Sequence, residues 1–268
     1  MLASVFAKTL RDRLRAFRWW CLGTFAFVSL YASVYPSISG KASLNKLVKD
    51  YPEALKGFIG FGGNLDFVSG PGYLGSEVFS FWAPIVLTAV AIAAGSTALA
   101  GEEERGTLDL LLSLPVSRTR CLLEKLAALV CEALALAFVL WILLVIASYA
   151  DGMGVSAGNL AAAVFGVLLF ALDFGLLALL VGAATGRRGL AIGISATLAV
   201  AADVLNALAP LASWLNDVRL ASPFYYYSHG DPLRHGLDYL DTLVLLAIVV
   251  VFAALAPLLF RRRDLASP

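Results

Sequence analysis

Three carboxylates stand inside apolar stretches of this chain, Glu132, Asp173 and Asp203, and they are the first residues to ask about chemistry. An acid at mid-bilayer is unfavourable by roughly 2.5–3.5 kcal/mol on insertion scales, so each must face a cavity, a polar neighbour or a partner chain. The reading places no Lys or Arg inside a span to neutralise them. Two roles compete: a polar lining for a transport route, or a protonated or hydrogen-bonded packing contact between helices. They weigh equally for Asp173, whereas Glu132, nearer an aqueous end, is read as a packing contact. His229, Asp231 and His235 are of metal-ligating types, but their spacing fits no zinc pattern and no metal is expected. Cys21, Cys121 and Cys131 likewise lack zinc-site or redox spacing. A nucleotide loop is missing too, since Gly40-Lys41 is preceded by Tyr35 where G-x-x-x-x-G-K needs its first glycine. No compact acid/base constellation argues for an enzyme.

The elements that must position these groups are membrane helices. The chain has 268 residues, 60% of them hydrophobic, with a mean hydropathy of +0.84; soluble domains run at roughly 45–50% apolar. A helix needs about 20 apolar residues to cross the hydrocarbon core, and such runs lie near 19–38, 78–100, 122–149, 160–184, 190–210 and 240–260. The expected fold is a single all-α integral membrane domain over 1–268 with six transmembrane helices. The basic start, Lys8 to Arg18, imitates a signal peptide, but the apolar run after it exceeds the 7–15 residues of a cleaved one, so it reads as an uncleaved first span. Between spans one and two, Leu44, Leu47, Val48, Tyr51, Leu55, Phe58 and Ile59 recur at helical spacing, which predicts interfacial helices in the first outer loop. Gly57 to Gly75 reads as loop. Pro84 is a candidate kink, Phe224 to Tyr227 a candidate aromatic belt, and Gly182-x-x-x-Gly186 with Gly189-x-x-x-Gly193 a candidate site of close helix approach.

One charged segment separates two apolar runs: Gly101 to Lys125, reading GEEERGTLDLLLSLPVSRTRCLLEK. Thr107 can cap a short leucine-rich helix stopped by Pro115, and Ser117 can cap the next. The run from Glu102 to Arg118 resembles, without gaps, the signature of permease subunits of type-2 ABC exporters. Ser222 to Leu240 and the ending from Phe260 to Leu265 resemble the last outer segment and the cytoplasmic tail of the same family. The resemblance implies that 101–121 forms a cytoplasmic coupling helix that docks on a separate ATPase subunit, present in two copies. The contact would then involve Glu102, Glu103, Glu104, Gly106, Thr107, Leu108, Leu110, Leu111, Leu112, Pro115, Ser117 and Arg118. It implies also that the chain binds no cofactor itself, that ATP and Mg belong to the ATPase, and that a second permease chain completes the assembly, a homodimer in preference to a heterodimer.

Orientation follows from the basic residues. With both termini inside, the cytoplasmic segments hold Lys8, Arg11, Arg13, Arg15, Arg18, Arg105, Arg118, Arg120, Lys125, Arg187, Arg188 and Arg261 to Arg263, the majority of the 20 Lys and Arg. The asymmetry favours cytoplasmic termini in an inner, or plasma, membrane. A net charge of +1 without a basic face argues against nucleic acid as a partner; membrane lipid is the solvent. The function expected is export of an unidentified substrate. The alternatives are a proton- or cation-coupled secondary transporter built on Asp173, and a non-transporting subunit that relays ATPase motion to an outer partner through residues 39–77.

Overall fold

A computed structural model of the chain describes residues 4–41, 51, 56, 66–107 and 117–262. The interfacial helices expected over residues 42–65 lie, but for Tyr51 and Lys56, outside the described residues. So does the leucine-rich piece with Leu108, Leu110, Leu111, Leu112 and Pro115. Among the described residues every regular element is helical. The spans are α1 (Val5–Ile38), α2 (Gly70–Ala98), α4 (Arg118–Ala150), α5 (Ala157–Thr185), α6 (Arg188–Leu208) and α10 (Tyr239–Arg262). Short helices stand between them: α3 (Ala100–Glu104) after the second span, then α7 (Ser213–Val218), α8 (Pro223–Ser228) and α9 (Pro232–His235) before the last.

Among the described residues six helices are long and apolar enough to cross a bilayer, which makes this an all-α integral membrane protein. Their burial is unequal. In the most apolar window of each, 72% of α5 and 67% of α2 is buried, against 17% of α1, 22% of α6 and 17% of α10. The pair α2 and α5 is therefore the core, around which the other spans are arranged with one face left apolar and exposed. What brings the pair together is glycine. A Cβ at Gly95 would run into the backbone carbonyl of Gly175, and one at Gly175 would stand 2.7 Å from the Ala91 Cβ. The expected glycine pairs behave differently. A Cβ at Gly182 would meet the Ala100 Cβ at an ordinary 3.4 Å, Gly186 is the left-handed cap of α5 at φ 67°, and Gly189 and Gly193 face open space.

Two boundaries differ from the sequence expectation for physical reasons. The first helix starts at Val5 instead of Trp19, because Ser4 caps it by accepting from the Ala7 N–H at 3.1 Å and Phe6, Leu10, Leu14 and Phe17 continue an apolar stripe backwards. The second starts at Gly70, inside the stretch read as loop, with Ser69 as its cap at 3.3 Å from the Gly72 N–H. Pro84 sits in its interior and is accommodated by a π-helical register over Gly75–Trp82. There the Ala83 N–H goes to the Val78 carbonyl, Pro84 has no N–H to give, and the Tyr227 hydroxyl donates to the Phe79 carbonyl at 2.6 Å.

That bond corrects the assignment of Phe224 and Tyr227 to an interfacial belt. Both are buried, packed on Phe170 with ring centroids 5.5 and 5.7 Å away. Ser222 caps α8 and donates to the Ala202 carbonyl at 2.9 Å, and Asn159 donates to the Leu233 carbonyl at 3.0 Å, so the hairpin before the last span is sewn into the bundle. Burial pushes the Tyr227 phenol well above its ordinary pKa, which keeps its proton in place as a donor. Tyr227→Phe is expected to lower stability by about 1 kcal/mol, the worth of one net hydrogen bond, with the loss read as a lower unfolding midpoint in detergent at unchanged yield.

Candidate functional site

The acidic residues after the second span are fastened to the bundle. Helix α3 continues α2 past a break at Leu99 and ends where Gly106 adopts φ 67°. The Thr107 N–H returns to the Glu102 carbonyl at 2.9 Å and the Gly106 N–H to that of Glu103 at 2.9 Å, the two bonds of a Schellman ending. The Thr107 hydroxyl also donates back to Glu102, at 3.1 Å. Glu102 accepts from Lys125 of α4, Nζ to Oε1 2.5 Å, with the lysine side chain only 1% exposed. Glu104 accepts from the Arg188 N–H at 2.9 Å and thereby closes the start of α6. On the far side of the segment, Ser117 caps α4 by accepting from the Arg120 N–H at 3.3 Å, and Arg118 is exposed. Both ends of the stretch 105–117 are thus anchored to spans.

A second cluster lies at the same end of the bundle. Arg13 of α1 pairs through Nε with Glu132 of α4, and its Nη1 donates to Thr97 Oγ1 of α2 at 3.0 Å. Glu124 accepts from the Phe6 N–H at 3.0 Å, where a carboxylate meets the positive end of α1, and from Arg120 at 3.0 Å. The expectation that no basic side chain stands within a span to neutralise these acids therefore fails for Glu132, which Arg13 of α1 meets, and Lys125 of α4 likewise meets Glu102. Glu132 is a packing contact with a cation of its own. Arg13 was legible in principle, because the apolar stripe from Phe6 to Phe17 extends the helix past it. Nothing local in the sequence marks Lys125 as the partner of Glu102.

The two other membrane carboxylates are placed differently. Asp173, in the middle of α5, is 1% exposed, and neither carboxyl oxygen has a hydrogen-bond partner among the described residues. Asp203, on α6, lines a cavity of about 210 Å³ between α2, α5, α6 and α8. The wall is mainly apolar, from Phe81, Ile85, Phe170, Val200 and Phe224 among others, and Thr88 lies in it with its hydroxyl buried and without a partner among the described residues. Asp173 is not part of that wall. Around the segment before the last span His229 stands 3.2 Å from Asp241, and Asp231 3.4 Å from Arg234, which also reaches Asp66 at 3.6 Å.

A family model described as ABC-2 family transporter protein matches residues 3–265. The chain belongs to the ABC-2 transporter family. No curated protein matches it. As an ABC-2 permease it is the membrane subunit of an ABC transporter, a multi-pass protein whose family implies a partner ATPase. The membership gives a context to the anchored segment, because the family implies a partner ATPase.

Proposed function

We propose that this permease is the transmembrane half of an ATP-driven exporter, with both termini in the cytoplasm of a cell bounded by the plasma membrane that holds it. Two copies of a separate ATPase bind ATP and Mg and dock on residues 101–121 of two permease chains, paired as a homodimer. The chain itself carries no nucleotide site and acts as a transport subunit. The observation that carries the reading is the fastening of the segment's two ends: Glu102 to Lys125, Glu104 to the Arg188 N–H, and Ser117 to the start of α4. A push on a connector held at both ends moves α2, α4 and α6 together, a rigid-body displacement rather than a local bend. Arg13, tied to Glu132 and Thr97, carries the same displacement into α1.

Docking is assigned to Leu108, Leu110, Leu111 and Leu112, with Gly106 and Pro115 setting the entry and exit angles. An interface anchor truncated to alanine commonly loses upwards of ~2 kcal/mol. Leu110→Ala combined with Leu111→Ala should therefore leave the permease inserted and dimeric while at least thirtyfold weakening its co-purification with the ATPase, about 2 kcal/mol or more. Full ATPase binding together with full transport in that variant would remove these leucines from the contact.

A further inference from the structure

The cavity beside Asp203 has the size, wall and charge of a ligand site. Its volume of about 210 Å³ exceeds the ~150 Å³ of an apolar protein cavity able to take benzene, but falls short of the roughly 300–1,000 Å³ of drug-sized pockets. One ring with a short chain fits that range. Phe81, Ile85 and Val200 are part of the wall and are also exposed on the apolar outer surface, so the cavity communicates with the lipid-facing side. Against this apolar wall stand two polar groups without partners. Among the described residues Asp203 makes no hydrogen bond or ion pair, and the Thr88 hydroxyl, in a residue 5% exposed, has no partner either. Among the described residues no Lys, Arg or His contributes to the wall.

We propose that this cavity binds a small amphiphilic amine taken from the membrane phase, its ring or short chain against Phe170 and Phe224 and its ammonium on Asp203, with the Thr88 hydroxyl as a second polar contact. Charge decides the class. An isolated acid in a low-dielectric wall is unfavourable until a cation reaches it, and a primary ammonium brings the charge together with three donors, as lysine does. An aminophospholipid would bring a phosphate beside Asp203 with no basic residue to receive it, so the ligand is an amine without an anionic group. Ring stacking on the cavity aromatics and a cation at the carboxylate together suit an arylalkylammonium. The inference deepens the export reading by naming a substrate class, and rests on that reading only for the fate of the bound amine.

The test uses the purified permease in phosphatidylcholine nanodiscs, without nucleotide, and labelled phenethylamine as the probe, with 2-phenylethanol as its neutral competitor. Phenethylamine is expected to bind saturably and at least about tenfold more tightly than the alcohol, since charge-assisted hydrogen bonds are roughly twice as strong as neutral ones. Asp203→Asn should erase that difference by weakening the amine and leaving the alcohol unchanged. Ala199→Phe, which puts a ring into the cavity from α6, should abolish binding of both. Phosphatidylethanolamine added to the nanodiscs should not displace the probe. Equal affinity of amine and alcohol for the wild type would overturn the proposal, as would full amine binding by Asp203→Asn. Should the variants fail to assemble, the wild-type comparison decides alone. Because binding is read without the ATPase, amine binding without export would sink only the export reading, and export without amine binding would sink only this one.

Discussion

Lys125→Met is expected to lower the stability of the permease by about 3–5 kcal/mol and to reduce transport towards background, with ATPase binding retained. The stability loss comes from the group left behind. Glu102 is 13% exposed, its Oε2 has no partner among the described residues, and its Oε1 relies on Lys125 at 2.5 Å. Removing one member of a buried pair leaves an uncompensated charge, whereas replacing both by apolar residues of similar volume is often neutral. The double variant Glu102→Met with Lys125→Met should therefore recover the unfolding midpoint. Under the proposed relay it should recover transport as well, because a packed apolar contact fastens α3 to α4 as firmly as the ion pair does. Stability restored without transport would mean that the charges act on something other than the relay. ATPase co-purification, measured beside both, separates docking from transmission: Leu110→Ala with Leu111→Ala loses the first, and Lys125→Met the second.

How much of this was readable from the sequence varies with the distance over which each interaction is made. The six spans follow from local apolarity, and Ser117 as a helix cap follows from its position before Arg118 and its side-chain oxygen. The start of α2 was missed because Gly70 to Gly75 is rich in residues that signal loop, and only Ser69 and Pro71 mark a helix beginning. The pairing of Lys125 with Glu102 and of Arg13 with Glu132 joins residues far apart in the chain, and no periodicity encodes it. Residue type announced that Glu132 needed a partner; only the crossing of α1, α2 and α4 supplied Arg13. Asp203 and Asp173 look alike in sequence, each an acid in an apolar run. One faces a cavity and the other the centre of α5's packing because their helices occupy different places in the bundle.

Gly95→Ala is expected to damage the fold more than any other single-methyl change considered, and the reason is geometric. The new Cβ would collide with the Gly175 carbonyl and stand 3.0 Å from the Leu179 backbone nitrogen, atoms that cannot rotate away as a side-chain end can. Either α2 and α5 separate or the backbone of α5 distorts. Overpacking of a filled core typically costs about 1–3 kcal/mol, and the upper end applies here because the two most buried spans must part. In Gly175→Ala the contact is with the Ala91 side chain at 2.7 Å and its backbone at 3.0 Å, so that change should be milder. Separation of α2 from α5 also moves Thr88 and Phe170 apart, which line the Asp203 cavity from α2 and from α5, and transport should fall with stability. The contrasting variants are Gly189→Ala and Gly193→Ala. These glycines form the more recognisable motif, yet a Cβ at either meets nothing within 4 Å, and at Gly193, inside α6, alanine is favoured over glycine by about 1 kcal/mol. Both should be neutral or slightly stabilising by unfolding midpoint, with the assembly unchanged in size. If instead Gly189→Ala or Gly193→Ala disrupted the assembly while Gly95→Ala was tolerated, the close crossing of α2 and α5 would not be the organising contact of this bundle.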